Sequence, residues 1–193
     1  MEYVNRAGDL YYFFQGKTTT GKPKYFASKR QTSEKGIRIA TLPDEFEVRE
    51  NPMNATVAVR RRKPSRIQPT ERDLVARLAV ELSSYSCVQT DVDGDQIVVY
   101  TPDRDPLAAA ATLARIFGSS PSATADWTMR RTTYNAELRF TIHDVEQRTY
   151  IAERYCYRSS IDGWIQISPP RPLETLARKL LPHLGKDSFF ELY

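Results

Sequence analysis

The stretch Gly16-Lys-Thr-Thr-Thr-Gly21-Lys22 fits seven positions of the phosphate-loop pattern G-x-x-x-x-G-K. The eighth position is Pro23, where a Ser or Thr hydroxyl should meet magnesium, and the residues that follow read as a strand. A phosphate loop has to open a helix, so that backbone N–H groups and the helix dipole face the phosphates. The segment therefore reads as a basic hairpin tip. Asp91-Val-Asp93-Gly94-Asp95 has the opening carboxylate rhythm of a calcium loop. Its twelfth position is Pro102 rather than a bidentate glutamate, and strand-like runs flank it, so a polar hairpin turn is expected. Nucleophilic catalysis would have to draw on Cys87, Cys156, His143 and His183, with Asp144 beside one histidine. A Cys–His pair needs thiolate and imidazole within hydrogen-bond reach, and nothing in the spacing brings these together. Two cysteines and two histidines exclude a disulfide framework and a four-cysteine or multi-histidine metal centre. No metal and no cofactor is expected.

The densest constellation mixes cations with aromatics near the N-terminus. Lys17, Lys22, Lys24, Lys29 and Arg30 lie among Tyr11, Tyr12, Phe13, Tyr25 and Phe26, and Arg60, Arg61, Arg62 and Lys63 follow. Cationic side chains neutralise phosphates and exposed aromatic faces stack on unpaired bases, so this pattern suits single-stranded nucleic acid. The same pattern arises when the aromatics fill the core of a small β unit and the cations solvate its other face. Residues 1–68 hold 14 Lys/Arg against 7 Asp/Glu, a net +7, whereas residues 69–193 hold 14 against 17, a net −3. A field of that sign attracts nucleic acid or an acidic protein. At the other end, Phe189, Phe190, Leu192 and Tyr193 make an apolar tail expected to dock in a groove or on a protein partner.

The elements that must position these residues are legible in part. Two aromatic runs, Leu10–Thr18 and Lys24–Ser28, flank Thr19-Thr-Gly21 and predict a hairpin. Ile37–Ala40, Phe46–Arg49 and Thr56–Arg60 read as further strands, punctuated by Pro43-Asp44 and Asn51-Pro52. Helical periodicity begins with Thr70 as N-cap and Asp73 in the capping-box position, and Leu74, Leu78 and Leu82 form a stripe with Val75 and Ala79 over about residues 71–84. Cys87–Thr90 and Gln96–Tyr100 make a hairpin about Asp93-Gly94. Asp105 as N-cap, Pro106 at the first helical position and Gly118 past the end bracket a helix containing Leu107, Ala110, Leu113, Ile116 and Phe117. Ser119–Ala125 reads as a small-residue loop. Alternation from Tyr134 to His143, a strand at 148–157, and Trp164–Ile167 after an Asp162-Gly163 turn predict an antiparallel meander. A last helix starts at Pro172 and is interrupted by Pro182.

These signals predict an α+β fold: a small N-terminal antiparallel β unit over 1–66, then an antiparallel sheet packed by about three helices over 67–193. The opening Met1-Glu-Tyr-Val-Asn-Arg6 holds no apolar leader, and no run approaches the roughly 18 apolar residues of a membrane span, so a cytoplasmic protein without a membrane partner is expected. Three stretches carry a resemblance: Gly16-Lys-Thr-Thr-Thr-Gly-Lys-Pro-Lys-Tyr-Phe-Ala-Ser28, Leu42-Pro-Asp-Glu-Phe-Glu-Val-Arg-Glu-Asn-Pro52 and Pro182-His-Leu-Gly-Lys-Asp-Ser-Phe-Phe-Glu-Leu-Tyr193. Over most of its length the chain resembles a family of small bacterial proteins of unknown function. The resemblance implies a stand-alone bacterial protein and brings across no catalytic residue. The functional expectation is a non-enzymatic binding or adaptor module whose leading partner is nucleic acid. A protein-partner subunit using the tail, and an enzyme with a dispersed Glu, Asp, Arg and Tyr site, are the alternatives.

Overall fold

The computed structural model describes residues 1–118, 120–158 and 161–192. Its first part is built around β2 (Leu10–Lys17), which pairs antiparallel with β3 (Pro23–Ser28) on one edge. On its other edge β2 pairs with β1 (Glu2–Val4) and β4 (Ile37–Arg38). The predicted hairpin turn forms at Thr18–Gly21, where Gly21 adopts φ 78 and its N–H bonds Thr18 O at 2.9 Å. Tyr11 and Phe13 project from one face of β2 onto a separate hairpin, β5 (Phe46–Glu50) with β6 (Val57–Arg61), and pack with Val48, Val57 and Val59. Alternation sends Tyr12 and Phe14 to the opposite face, where Phe14 stacks on Phe26 at 5.5 Å and Gln31 donates to the Tyr12 hydroxyl at 3.0 Å. Residues 29–36 close over that face. They can do so because Gly36 carries no side chain: a Cβ there would meet Gln15 O at 2.7 Å.

The second part is a six-stranded antiparallel sheet in the order β11-β10-β9-β8-β7, with β12 on the end of β10. The strands are β7 (Gln89–Asp93), β8 (Gln96–Pro102), β9 (Tyr134–Asp144), β10 (Thr149–Arg158), β11 (Ile161–Gln166) and β12 (Arg171–Pro172). One face carries α1 (Pro69–Leu82) and α4 (Leu173–Leu180). Val75, Leu78 and Ala79 of α1 join Ile97, Val99, Leu138, Phe140, Tyr150, Leu176 and Leu180 in the main core. Each fully buried Val, Leu, Ile or Phe among them contributes about 1.5–3 kcal/mol. The other face holds a smaller cluster of Val98, Tyr100 and Tyr134 with Cys87, Ala136 and Trp164. No helix among the described residues is long and apolar enough to cross a membrane.

The α+β class and the antiparallel sheets agree with the sequence reading. Several details differ. The N-cap of α1 is Gln68, whose N–H bonds the Glu71 carboxylate at 2.8 Å, so the capping frame lies two residues before Thr70 and Asp73. Pro69 dictates this, because its fixed φ and missing N–H suit the first helical position. The region read as a loop up to Ala125 contains α3 (Pro121–Arg131), which makes four α-helices among the described residues rather than about three; Ser119 lies outside the described residues. Ser120-Pro121 was its start signal, and the Ala and Thr content hid it. Asp162 and Gly163 are not a turn but lie inside β11, paired with Tyr157 and Cys156. In β9 the alternation is broken: the register with β8 slips between Val99 and Tyr100, which skips Glu137. Leu138 and Phe140 therefore face the main core while Tyr134 and Ala136 face the smaller cluster.

Candidate functional site

The proposed cations do not share one face. Gly16 pairs with Lys24 and Lys17 with Pro23, so Lys17 and Lys24 project to opposite faces of the β2–β3 tip, with exposed Lys22 at the turn. Arg30 and Lys35 stand on the 29–36 loop, which has a groove on each side. One, of about 630 Å3, is lined by Phe26, Ser28, Arg30, Thr32, Glu34 and Lys35. The other, of about 610 Å3, is lined by Gly16, Lys17, Gly21, Lys35, Gly36 and Ile37. Lys35, which sequence reasoning passed over, contributes to both, as does Glu34.

Four of the predicted cations already have intramolecular contacts. Lys29 bonds Asp9 at 2.8 Å and lies over the Tyr11 ring at 5.6 Å. That hydrogen bond raises the Lys29 ammonium pKa and lowers the Asp9 carboxyl pKa. Arg60 is half-buried between Glu47 at 2.7 Å and Asp93 at 2.8 Å. Arg62 Nε donates to Phe46 O at 3.3 Å, and Arg61 lies over the Phe46 ring. Of the three arginines, Arg61 and Arg62 remain exposed and Arg60 is a structural brace.

The aromatics meant to stack on bases are turned inward. Tyr11, Tyr12 and Phe13 are buried, while Tyr25 and Phe26 are half-buried against Phe46 and Phe14. A small β unit has to fill its interior with its largest side chains, and these are the largest available. The tail behaves similarly. Phe189 is fully buried and Leu192 packs on the main core, with Arg154 Nη2 donating to Phe190 O at 3.2 Å. Phe190 alone of the described tail aromatics is exposed, and Tyr193 lies outside the described residues.

The other sequence motifs resolve into structure. Gly16–Lys22 is strand and turn, with no helix after it. The three aspartates of the calcium-like stretch each meet cations from residues 49–66. Asp91 pairs with Arg49, Asp93 with Arg60 and Lys63, and Asp95 with Arg66 at 2.5 Å. No group of metal ligands occurs among the described residues. Cys87 accepts from the Tyr134 hydroxyl at 3.5 Å, Cys156 is buried in β10, His143 is exposed, and His183 Nδ1 contacts Ser188 Oγ at 2.8 Å. Burial raises the Glu137 carboxyl pKa against an opposing effect of Thr101, whose buried hydroxyl has no hydrogen bond of normal geometry.

A second group of residues went unrecognised in the sequence. Asp105 caps α2 (Pro106–Phe117) through Leu107 N–H at 3.0 Å, and Gly118 ends it at φ 62, as predicted. Yet α2 packs chiefly on α3, and its larger apolar residues point outward: Leu107, Ile116 and Phe117 are exposed, and only Pro106, Ala110 and Ala114 are buried. At the roots of the two helices lies a depression of about 420 Å3 lined by Arg104, Pro106, Ala109, Trp127, Thr128 and Arg131, among others. The Arg131 guanidinium sits over the Trp127 ring, 5.4 Å from its centroid. The i,i+4 spacing of an aromatic and an arginine was the signal, readable only once residues 121–131 are known to be helical. Comparison with family models, curated proteins and solved structures finds no match for the chain.

Proposed function

We propose that this protein is a non-enzymatic binding module that engages nucleic acid by its phosphate backbone, across the tip of the β2–β3 hairpin and the 29–36 loop. The observation that carries this reading is charge without counter-charge. Residues 10–43 hold seven Lys/Arg and a single carboxylate, Glu34. Lys17, Lys22, Lys24, Arg30 and Lys35 have no ion pair among the described residues, whereas Arg60, Lys63 and Arg66 are each held by an aspartate. A hairpin tip and loop that leave five cations unneutralised, three of them (Lys17, Arg30 and Lys35) lining two open grooves beside the single carboxylate Glu34, suit a polyanion, which releases condensed counterions on binding. With the nearby aromatics buried, backbone contact supplies the affinity here.

The test is fluorescence anisotropy of labelled single-stranded and duplex oligonucleotides at two salt concentrations. Binding should strengthen at low salt, and the triple variant Lys22→Glu, Lys24→Glu, Arg30→Glu should weaken it and flatten its salt dependence. Absence of binding at low salt, or full binding by the triple variant, overturns the proposal. The exposed apolar side of α2 favours a second reading, a protein partner. On that reading Phe117→Ser should release a co-purifying or self-associated species in light scattering; a wild-type chain that is monomeric and unaccompanied argues against it.

A further inference from the structure

We infer that the depression between the roots of α2 and α3 is a nucleotide subsite, in which an unpaired base stacks on Trp127 and its phosphate meets Arg104 and Arg131. The inference deepens the nucleic-acid reading and rests on it for the natural ligand, although the residues are different ones. About 420 Å3 is within the range of small-ligand sites, and the lining has the composition such a ligand needs. Pro106 and Ala109 give apolar surface, and Trp127 is 55% exposed as a residue. An indole left open to water beside a guanidinium is a stacking platform for a base of any identity.

The polar groups fit the rest of a nucleotide. Neither Arg104 nor Arg131 has a carboxylate ion pair among the described residues; Asp126, the acid on α3, is held by Arg130 at 3.1 Å. Thr128 and Thr132 donate their hydroxyl hydrogens to Thr124 O and Thr128 O, at 2.7 and 2.8 Å, which leaves their oxygens as acceptors. Asp103 adds a carboxylate that repels phosphate and can accept from a sugar hydroxyl or a base amine. Together these orient the ligand with its anionic end toward the arginines. The site also adjoins the proposed backbone track. Thr132 O of its lining accepts from Arg6 Nη2 at 3.2 Å, Asp9 at the end of the same β1–β2 connection holds Lys29 at 2.8 Å, and Arg30 follows Lys29 at the start of the 29–36 loop. A strand with one base on Trp127 is thereby placed to run along the cations of the β unit, which gives the surface a reason to prefer single strands over duplex.

The chain has two tryptophans, so Trp164→Phe leaves Trp127 as the sole indole reporter. Titrating that protein with adenosine monophosphate should quench Trp127 saturably in the millimolar range or below, and inorganic phosphate should compete. Arg131→Ala in the same background should weaken the mononucleotide about tenfold or more, the loss expected for a charge-assisted phosphate contact. Exposed Arg131 can be removed without unfolding, and an unchanged melting temperature checks this. No saturable quench, or equal quench in the Arg131→Ala protein, overturns the subsite. If oligonucleotides bind in anisotropy while Trp127→Ala binds them as well as wild type, the subsite fails and the backbone reading stands. Mononucleotide quenching without oligonucleotide binding gives the reverse result.

Discussion

Glu137 shows how one side chain can be set against the fold that contains it. The register slip in β9 leaves this carboxylate at the bulge, where burial disfavours its charged form and raises its pKa. A carboxyl whose folded-state pKa exceeds its unfolded value binds more protons when folded, so stability falls as pH rises through that window. The penalty is absent below the unfolded value near 4.5 and grows as pH rises above it. Glu137→Gln should therefore raise the melting temperature at pH 7 by about 2–4 °C, corresponding to roughly 1 kcal/mol for a chain of this size. In acid the two proteins should melt together. A variant that melts lower at pH 7 would show that the carboxylate is held by interactions that outweigh its burial.

At the level of elements, the start of α1 is tied to the β9–β10 turn. Arg148 bonds Glu71 through both Nε, at 2.9 Å, and Nη2, and it also meets Arg66 O and the Tyr150 hydroxyl. Burial alone would push the Glu71 carboxyl up. The Arg148 bond, Tyr150 and the Gln68 N–H together outweigh it, and the pKa is lowered. This contribution is present above the unfolded pKa and is lost as pH falls through the lower folded one. Arg148→Ala should cost about 1–3 kcal/mol at pH 7, since it strands a mostly buried acceptor, and urea midpoints for the two proteins should converge in acid. The helices also show where local signals stop. Asp105-Pro106 and Gly118 bracketed α2 correctly because caps act within a turn of the chain. The same residues could not show that Ile116 and Phe117 would find no sheet to cover them. For α3, eleven residues rich in Ala, Ser and Thr offered no apolar stripe, so the helix, and with it the Trp127–Arg131 pair, stayed hidden.

Across the whole molecule, cations of residues 6–66 meet acceptors in the large sheet and its loops. Arg49 reaches Asp91 and Val92 O, Arg60 and Lys63 reach Asp93, and Arg66 reaches Asp95. Arg6 adds bonds to Gln89 and Thr132 O and lies over Tyr134, while Tyr134 N–H bonds Met53 O at 2.9 Å. The excess positive charge of the first third thus has two fates: part neutralises the β7–β8 hairpin, and part stays open to solvent. Arg60→Ala should destabilise by about 1–2 kcal/mol, above the usual worth of an exposed pair because Arg60 is half-buried between two carboxylates. Arg61→Ala and Arg62→Ala should change stability by less than about 0.5 kcal/mol. Denaturant unfolding separates the two cases. Equal effects at all three positions would remove the distinction between brace and free surface.

The sequence by itself determined what depends on near neighbours along the chain: the α+β class, the apolar stripes of α1 and α4, the caps of α2, and the hairpins at Thr18–Gly21 and Asp93-Gly94. Each follows from residues a few positions apart, where backbone geometry leaves few choices. Only the tertiary structure decided which aromatics were buried, which cations were neutralised, and where the apolar side of α2 and the Trp127 depression would lie. Those outcomes depend on contacts such as Arg60 with Asp93 or Arg6 with Thr132, 33 and 126 residues apart, and on which surfaces remain after the cores are filled. Composition put fifteen of the lysines, arginines and aromatics into residues 10–49, and packing then separated those that hold the fold from those left to meet a partner.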